Sequence, residues 1–339
     1  MRSVERRLQE ILDAAGRVPG AGQAKRLYLR IEPEVLKLGY VATPVDLPLD
    51  VVLVQSVDEP ADVALFTQHG LDVSPAIWAW RQKHSDGLVL LWAWDNHLGQ
   101  LHNLHSALAA DIVFPSHAYV SDYLSTPMAL LGPHLPACSA QWHGGWQETD
   151  KRSDRLMAHY VDYPWAGRTR LLSELAREGA WVDARLMSPE DKRPYFGKSS
   201  SERLQEWLEH KVSLVLPVDR DLSTRFFDAL YAGQIPLLAG DIADLDSVVS
   251  PALREDLGIV HVPEMTLKSV QDGYARALTR FNEGGVAGVA RRHRFATENH
   301  MFKQRIATAL ACVEDLKAGC LQPRFLVAPG TSGLRLSAP

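Results

Sequence analysis

Residues 213–241 constrain the fold more than any other part of the chain, because they combine a strand, a polar loop, a helix and a second strand. The apolar run at 214–216 predicts a buried strand. Apolar side chains then recur at helical spacing over 226–231, Gly233 ends the helix, and residues 235–238 predict the next strand. Two strands joined through a helix pair in parallel, and ligands bind beyond the carboxyl ends of such strands. The segment therefore predicts an α/β fold with a polar site in its first loop.

The same alternation of strand and helix patterns extends over most of the chain. Residues 26–31 alternate and predict a strand at the edge of a sheet, whereas the continuous apolar run at 50–54 predicts a more central strand. Residues 87–94 form the strongest strand pattern of the first half, and residues 156–161 begin a second series. Strands that alternate with helices form parallel sheets with helices on both faces. We therefore predict the α/β class, with doubly wound, Rossmann-like sheets.

Between the two series of strands the character of the sequence changes. Residues 132–155 are rich in proline, glycine and polar side chains, a composition typical of a linker between domains. The chain has 339 residues, which is enough for two domains of ordinary size. We predict a first domain over 1–140, a second domain over 156–320 and a tail over 321–339, with the two domains facing each other across a cleft.

Composition and charge exclude several classes of function. The formal net charge is -5 and no long basic run occurs, so we predict no nucleic-acid partner. Three cysteines form no CxxC pair, which is typical of free thiols in a reducing compartment. No run approaches the roughly 20 apolar residues of a membrane span, and residues 1–17 predict an amphipathic helix rather than a signal peptide. We predict a cytoplasmic protein and leave open peripheral attachment to the inner face of the membrane through that helix.

The helix in the opening segment carries an anion-binding pattern. Backbone N–H groups at Ser223, Thr224 and Arg225 would point at an anion, and the helix dipole would favour its charge. Arg225 could add a charge-assisted hydrogen bond to a phosphate. Asp228, one turn later, is placed to accept hydrogen bonds from a ribose diol. The alternative is an ordinary surface pair of Arg225 and Asp228 at i,i+3 spacing.

The pattern R-x-F-D-A-L-x-A-G-x-I-P-L at residues 225–237 resembles the nucleotide-sugar-binding segment of GT-B glycosyltransferases. It is similar in style to the exostosin-like, spore-maturation-protein-like and fucosyltransferase-like branches. The resemblance implies a GT-B fold, a nucleotide-sugar donor, and no bound metal or other cofactor. It also implies that Asp228 holds the donor ribose and that Asp219 or Asp221 is a second carboxylate near the donor sugar.

A second candidate site follows the strand predicted at 87–94. Asp95 and His97 stand directly after it, where a carboxylate or an imidazole could take a proton from an acceptor hydroxyl. The alternative is that Asp95 caps the helix that follows. His97, His102 and His105 lack a further well-spaced ligand, so we predict no metal site.

A third candidate site follows the strand predicted at 156–161. Asp162 could act as the carboxylate nucleophile of a double displacement, or it could cap a turn before Pro164. Arg168 stands at a helix start suited to a diphosphate. Lys198, in a later loop, is placed to reach a phosphate or a base.

Together these patterns predict a glycosyltransferase that moves a sugar from a nucleotide donor to a glycan or glycolipid acceptor. From the resemblance, the process would be synthesis of a bacterial surface polysaccharide or lipopolysaccharide, with the retaining or inverting outcome left open. One alternative is a CMP-Kdo-dependent transferase that uses an Asp nucleophile such as Asp162. Another is a non-catalytic α/β protein that binds a nucleotide or sugar. A Rossmann dehydrogenase or epimerase is disfavoured because neither domain begins with GxGxxG.

Overall fold

The structure is a computed structural model that describes residues 2–37, 39–41, 44–140, 146–188, 190–191, 197–328 and 331–339. The chain divides into two compact units. The first unit comprises Met1–Leu36, Thr43–Pro136 and Lys303–Pro339, and the second comprises Lys37–Ala42 and Ala137–Phe302.

Strands and helices alternate along most of the described chain. The strands are β1 (Lys25–Arg30), β2 (Val51–Val54), β3 (Val63–Gln68), β4 (Leu88–Ala93), β5 (Ile112–Pro115), β6 (Leu130–Leu131), β7 (Leu156–Val161), β8 (Val182–Met187), β9 (Val212–Val215), β10 (Ile235–Ala239), β11 (Val260–Val262), β12 (Gln322–Ala328) and β13 (Thr331–Ser337). The α-helices are α1 (Arg2–Arg17), α2 (Pro33–Lys37), α3 (Ser74–Lys83), α4 (Gln100–Ala109), α5 (Thr169–Leu175), α6 (Ser200–Leu208), α7 (Thr224–Tyr231), α8 (Leu245–Val248), α9 (Pro251–Leu257), α10 (Leu267–Asn299) and α11 (Phe302–Lys317). Three 3₁₀ turns occupy Ala118–Val120, Asp122–Leu124 and Pro164–Ala166.

The sheet of the first unit has the order β12-β13-β6-β5-β4-β3-β1-β2 in the described chain, and its pairs are parallel except for β12 with β13. All six residues of β4 are buried, because this run of Leu, Val, Trp and Ala has neighbours on both sides and both faces. The order places β1 between β3 and β2 and leaves β2 at the edge. The prediction that residues 26–31 form the edge strand and 50–54 the more central one is therefore wrong.

Helix α1 packs its apolar face inside the first unit. Ile11 is fully buried and Ala15 nearly so, while Arg7 forms an ion pair of 2.6 Å with Asp111 at the start of β5. Part of the apolar face of this helix is thus covered by protein, and peripheral membrane attachment through it stays a prediction. Among the described helices, none combines the length and the apolarity needed to cross a bilayer.

The end of the chain belongs to the first unit, which corrects the predicted domain bounds of 156–320 and the predicted tail of 321–339. Strands β12 and β13 form an antiparallel hairpin, and β13 extends the sheet by pairing with β6. Leu334 N–H donates to the Thr126 carbonyl at 3.0 Å, and the absence of a side chain at Gly333 lets the hairpin lie directly on the Ser125 backbone. A segment with paired backbone groups on both sides is part of a sheet rather than a loose tail.

The sheet of the second unit has the order β8-β7-β9-β10-β11 and is parallel throughout its described pairs. Numbered within the unit, this order is 2-1-3-4-5, the flavodoxin-like arrangement in which ligands bind at the switch between strands 1 and 3. Here those strands are β7 and β9, which pair only at Met157 and Ser213. The Tyr160 hydroxyl fills the gap between them, donating to Leu214 O at 2.7 Å and accepting from Leu216 N–H at 2.9 Å. The carboxyl ends of β7 and β9 therefore flank the expected ligand position.

The βαβ unit predicted at residues 213–241 is present as β9, α7 and β10. Gly233 adopts a positive φ of 76° after α7, and a side chain there would come within 2.7 Å of Val289 on α10. The structure thus confirms the α/β class, with a sheet in the first unit that is parallel apart from the β12–β13 pair and a parallel sheet in the second. That the two domains face each other across a cleft remains a prediction.

Candidate functional site

Arg225, on the first turn of α7, has a buried guanidinium held between two aromatic rings. Its side chain is 8% exposed, and its Cζ lies 4.5 Å from the ring centre of Tyr160 and 4.9 Å from that of Trp207. Among the described residues, its Nε and Nη2 atoms have no hydrogen-bond partner. Buried N–H donors are almost always hydrogen-bonded in folded proteins, so this guanidinium has capacity for an acceptor from outside the chain.

Arg225 lines a cavity of about 230 Å³, which we call the arginine pocket. Its walls come from β7, β8, α6, α7 and the segment before α6, and Trp207 supplies an aromatic surface. Its polar side chains are His159, Arg185, Lys198, Arg203, Glu206 and Arg225. Four cationic side chains stand against one carboxylate, so the pocket favours an anion.

The carboxylate of the pocket is shared by two of its cations. Glu206 Oε1 accepts from Arg185 Nη1 at 2.6 Å and from Lys198 Nζ at 2.5 Å. Both cations are partly exposed, with 48% and 31% of their side chains accessible. Glu206 therefore neutralises the outer part of the pocket, and no carboxylate among the described residues hydrogen-bonds to Arg225.

A neutral histidine lies at the inner wall of the arginine pocket. Burial, together with the charges of Arg185 and Arg225, lowers the pKa of His159 to about 3 against the opposing effect of Asp183. The contact of His159 Nε2 with Asp183 Oδ2 at 3.2 Å is therefore a hydrogen bond of a neutral imidazole rather than an ion pair. Asp183 also accepts from His210 at 3.1 Å. Burial would raise the pKa of Asp183, but these partners and Arg185 hold it below its ordinary value.

Arg168, which the sequence predicts to bind a diphosphate, forms hydrogen bonds with backbone carbonyls of its own chain. Its Nη1 donates to Leu216 O at 3.4 Å and its Nη2 to Val161 O at 3.1 Å, which ties together the carboxyl ends of β9 and β7. The guanidinium also lies 4.9 Å from the ring centre of Tyr160. Burial, above all, lowers the pKa of Arg168. The terminal nitrogens are thus engaged by backbone carbonyls at the switch point of the sheet.

In the loop before α7, two of the residues predicted to bind the donor, Asp221 and Ser223, instead form hydrogen bonds within the loop and at the start of the helix. Asp221 is buried and accepts from the backbone N–H groups of Val218 and Asp219, the pattern of a side-chain-stabilised turn. Asp219 itself is exposed. Ser223 caps α7 by accepting from Arg225 N–H at 3.4 Å, and Thr224 is the first residue of the helix. None of the four lines the arginine pocket.

Asp228 does not lie where a ribose can reach it, which corrects the role predicted for it. The side chain is 1% exposed, and its Oδ1 accepts from the backbone N–H of Ala140 at 2.9 Å. Burial raises the pKa of Asp228 to about 7, although that hydrogen bond and the charge of Arg225 act in the opposite direction. The alternative of a surface pair is equally wrong, because both Arg225 and Asp228 are interior.

Asp162 follows β7 at the switch point and is half-buried. Its Oδ1 accepts from the Thr169 hydroxyl at 2.8 Å, which links it to the start of α5, and its N–H donates to Met187 O at 2.9 Å. These contacts are those of a residue that fixes a turn. Its predicted role as a nucleophile stays a prediction.

In the first unit, Asp95 and His97 lie close to two histidines that follow the neighbouring strands. We call the group of His69, Asp95, His97 and His117 the edge cluster. His69 follows β3, Asp95 and His97 follow β4, and His117 follows β5. His69 Nε2 lies 3.1 Å from Asp95 Oδ2, and the rings of His97 and His117 are 4.0 Å apart. One ligand atom each from Asp95, His97 and His117 lies within 4.8 Å of the other two.

Asn96 holds the edge cluster in place. Its side chain donates to the carbonyl of His117 and accepts from the N–H of His117, both at 2.8 Å. Its own carbonyl accepts from the Tyr123 hydroxyl at 2.7 Å. Burial lowers the pKa of His117 well below its ordinary value, helped by the nearby rings of His97 and His134. His117 is therefore neutral near pH 7, with one ring nitrogen available as a base or ligand.

The first unit also contains a cavity of about 630 Å³ beyond the carboxyl ends of β1 and β2. Aliphatic side chains such as Leu29, Leu53 and Leu71 make up much of its lining, while Glu32 and Gln55 add polar groups. This cavity is separate from the edge cluster, none of whose members lines it.

Sequence reasoning found Arg225, Lys198, Asp95 and His97 but missed several residues that accompany them. His69 and His117 follow strands adjacent to the one that ends before Asp95, and the sequence alone does not give that adjacency. Arg203 and Trp207 are four positions apart on α6 and share a face, yet nothing in that spacing distinguishes a binding wall from an ordinary buried face.

Comparison with known proteins finds only distant structural similarities, with TM-scores below 0.5 for the structures named here. No protein-family profile matches the chain, and no curated protein matches it. A solved structure of a GtfA/B complex has a TM-score of 0.44 at 8% identity and covers 75% of this chain, and pneumococcal O-GlcNAc transferase GtfA with UDP and GlcNAc has 0.44 at 10% and covers 74%. The chain spans only 57% and 56% of the length of these two proteins. Spinosyn rhamnosyltransferase SpnG has a TM-score of 0.43 at 9% identity, with 85% of this chain and 99% of that one covered. At such identities no residue role is transferred from these proteins.

Proposed function

We propose that this protein is a glycosyltransferase and that its second unit binds the phosphates of a nucleotide-sugar donor in the arginine pocket. The observation that carries the proposal is the buried guanidinium of Arg225, whose Nε and Nη2 have no hydrogen-bond partner among the described residues. A phosphate group offers the acceptor oxygens that such a guanidinium binds in a bidentate manner. The sequence pattern at 225–237 supports the same class of ligand.

The surplus of positive charge around Arg225 supports a role in transfer as well as in binding. When the bond between the sugar and the phosphate breaks, negative charge grows on the departing phosphate oxygen. Arg203 and Arg225 are 5% and 8% exposed, and cations in such a dry setting stabilise developing charge more strongly than they would in water. The acceptor oxygen forms the new bond to the sugar, and a base takes the proton of the acceptor hydroxyl.

The residues of the acceptor side are proposals from the sequence. Asp95 or His97 would be the base, and Asp162 would be the nucleophile if the transfer proceeds by double displacement. We assign only an apolar part of the acceptor to the 630 Å³ cavity of the first unit, whose lining is largely aliphatic, so the reacting hydroxyl would lie outside that cavity. A glycolipid of bacterial surface polysaccharide or lipopolysaccharide synthesis would meet that requirement.

The test is calorimetric titration of the full chain with UDP, GDP, dTDP and CMP and with the corresponding nucleosides. A charge-assisted hydrogen bond contributes about 1.5–3 kcal/mol, so Arg225→Met should weaken nucleotide binding about 10- to 100-fold. Nucleoside binding should change far less, because the nucleoside lacks the phosphate. CMP as the preferred nucleotide would favour the CMP-Kdo alternative.

Arg170→Met is the matched control, since Arg170 is an exposed arginine of the same unit, paired with Glu174 and outside the pocket. Unchanged nucleotide affinity in Arg225→Met, or an equal loss in Arg170→Met, would refute the pocket assignment. Binding without any turnover of a nucleotide sugar across a panel of glycan and glycolipid acceptors would instead support the non-catalytic alternative.

A further inference from the structure

The edge cluster brings nitrogen and oxygen ligand atoms from two adjacent strand ends to one point. Asp95 and His97 follow β4 and His117 follows β5, strands that are paired in parallel from Leu90 with Ile112 to Ala93 with Pro115. Their ligand atoms lie within 4.8 Å of one another. We propose that Asp95, His97 and His117 form a binding site for a divalent transition-metal ion. The site lies within the first unit and does not depend on the arginine pocket.

His97 supplies the observation that points to a ligand. Its side chain is 9% exposed, and its Nδ1 is buried with no hydrogen-bond partner among the described residues. A buried imidazole nitrogen without a partner forfeits the hydrogen bond that it had with water, which is unfavourable. Coordination of an ion by this nitrogen would remove that cost.

His117 is prepared as the second ligand. Its ring lies 4.0 Å from that of His97, and its backbone is fixed by both hydrogen bonds to Asn96. Metal ions bind imidazole through a ring nitrogen that carries no proton. A bound cation would accept a lone pair from each of the two imidazoles at once.

Asp95 is the third ligand, and His69 stands behind it. The Asp95 side chain is 23% exposed, and its Oδ2 lies 3.1 Å from His69 Nε2, which leaves Oδ1 for the ion. Ligating carboxylates are commonly oriented by a hydrogen bond to their other oxygen. The partial exposure of Asp95 and His69 also gives the ion a path from solvent to the buried histidines.

The donor set identifies the class of ion. Two imidazoles and one carboxylate suit Zn²⁺ and similar transition metals, while three protein ligands leave a coordination position for water or substrate. Zn–N and Zn–O bonds of about 2.0–2.2 Å place tetrahedral ligand atoms roughly 3.3 Å apart, so the three side chains must converge by about 1.5 Å at most. Side-chain rotation is sufficient for a movement of that size. With an ion bound, Asp95 and His97 would be ligands, and neither would then be free to act as the base.

The experiment uses the full chain, freed of metal with EDTA and dialysed, and titrates it with Zn²⁺ by calorimetry and with Co²⁺ by visible absorption. We expect one ion per chain, and intense Co²⁺ bands that indicate four- or five-coordinate geometry. His97→Gln, His117→Gln and Asp95→Asn should each weaken Zn²⁺ binding at least tenfold, and His69→Gln should weaken it about tenfold through the orientation of Asp95.

His102→Gln is the matched control, because His102 is an exposed histidine on α4 close in sequence to the cluster. Circular dichroism of each variant checks folding, and the partly exposed Asp95→Asn keeps the test decisive if the buried histidine variants do not fold. Failure of the apo chain to bind Zn²⁺ with one-to-one stoichiometry would overturn the proposal. An equal loss of affinity in His102→Gln would also overturn it, by locating the ion on surface histidines. Neither result touches nucleotide binding at the arginine pocket.

Discussion

Replacement of Asp228 by asparagine should change how the stability of the second unit depends on pH. Burial raises the pKa of this carboxyl in the folded state to about 7, against an ordinary value of 3.8. Because the folded pKa is the higher one, the folded state holds the proton more tightly than the unfolded chain does. The stabilisation that results is complete below about pH 4 and is lost as the pH rises to 7 and above.

The two pKa values fix the size of the effect. Between pH 5 and pH 8, loss of the proton from Asp228 should lower the free energy of unfolding by roughly 2–3 kcal/mol, because each pH unit over which only the folded state is protonated contributes about 1.36 kcal/mol. Asparagine mimics the neutral acid, and its Oδ1 can still accept from Ala140 N–H. Asp228→Asn should therefore lose this pH dependence, and its stability relative to the natural chain should rise by roughly 2–3 kcal/mol between pH 5 and pH 8.

The assay is urea unfolding at pH 5 and pH 8, followed by hydrogen exchange in peptides from β9 to β10, so that the readout reports on the second unit alone. Asp272→Asn, an exposed carboxylate on α10, gives the baseline for a substitution of the same kind at the surface. If the difference between Asp228→Asn and the natural chain is the same at both pH values, the carboxyl is not held neutral by burial and the reasoning fails.

Two further substitutions test the packing around the candidate sites. Gly333→Ala would place a methyl carbon 2.3 Å from the Ser125 carbonyl carbon and 2.4 Å from the Thr126 nitrogen, so it should destabilise the C-terminal hairpin by about 2–3 kcal/mol. Faster hydrogen exchange over β12 and β13 would report this loss, whereas Gly16→Ala, with open space around it, should leave the exchange unchanged. Ser199→Ala removes the capping box at the start of α6 and should cost about 1 kcal/mol in urea unfolding. A cost below about 0.3 kcal/mol would show that the cap does not stabilise the wall of the arginine pocket.

The positions of strands could be predicted from the sequence, but their order in the sheet could not. The apolar run of β4 identifies a buried strand by itself. The run of β2 looks equally apolar, yet Val52 is 52% exposed because β2 has only β1 beside it. Whether a strand is central depends on which distant segments pair with it, and local pattern does not contain that information.

The C-terminal hairpin shows the same limit. Leu334 and Leu336 alternate around Arg335, a pattern that favours a strand, but the Pro, Gly and Ser residues nearby favour irregular structure. Whether these residues form a strand depends on β6, a two-residue strand far away in the sequence, with which β13 pairs. Only the folded sheet provides that partner.

At the candidate sites, residue types were easier to predict than their surroundings. The anion-binding character of Arg225 can be predicted from the βαβ pattern, because a helix start after a buried strand is an anion-binding position. The burial of Asp228 could not be predicted, because its hydrogen-bond partner is the backbone N–H of Ala140, and a backbone group leaves no pattern in the sequence. The edge cluster was only half predicted, since His117 follows a strand whose neighbour in the sheet is known only once strand order is known.

Because residues 303–339 belong to the first unit, the two units should fold in a definite order during synthesis on the ribosome. Ala137–Phe302 of the second unit is one continuous stretch, so this part can fold while the remainder is still being synthesised. The first unit completes its fold later, because α11 and the β12–β13 hairpin are synthesised after Ala137–Phe302. Until then the short strand β6 ends the sheet with unsatisfied backbone groups that could pair with other nascent chains. Chaperone dependence should therefore concentrate on the half of the protein that is translated first.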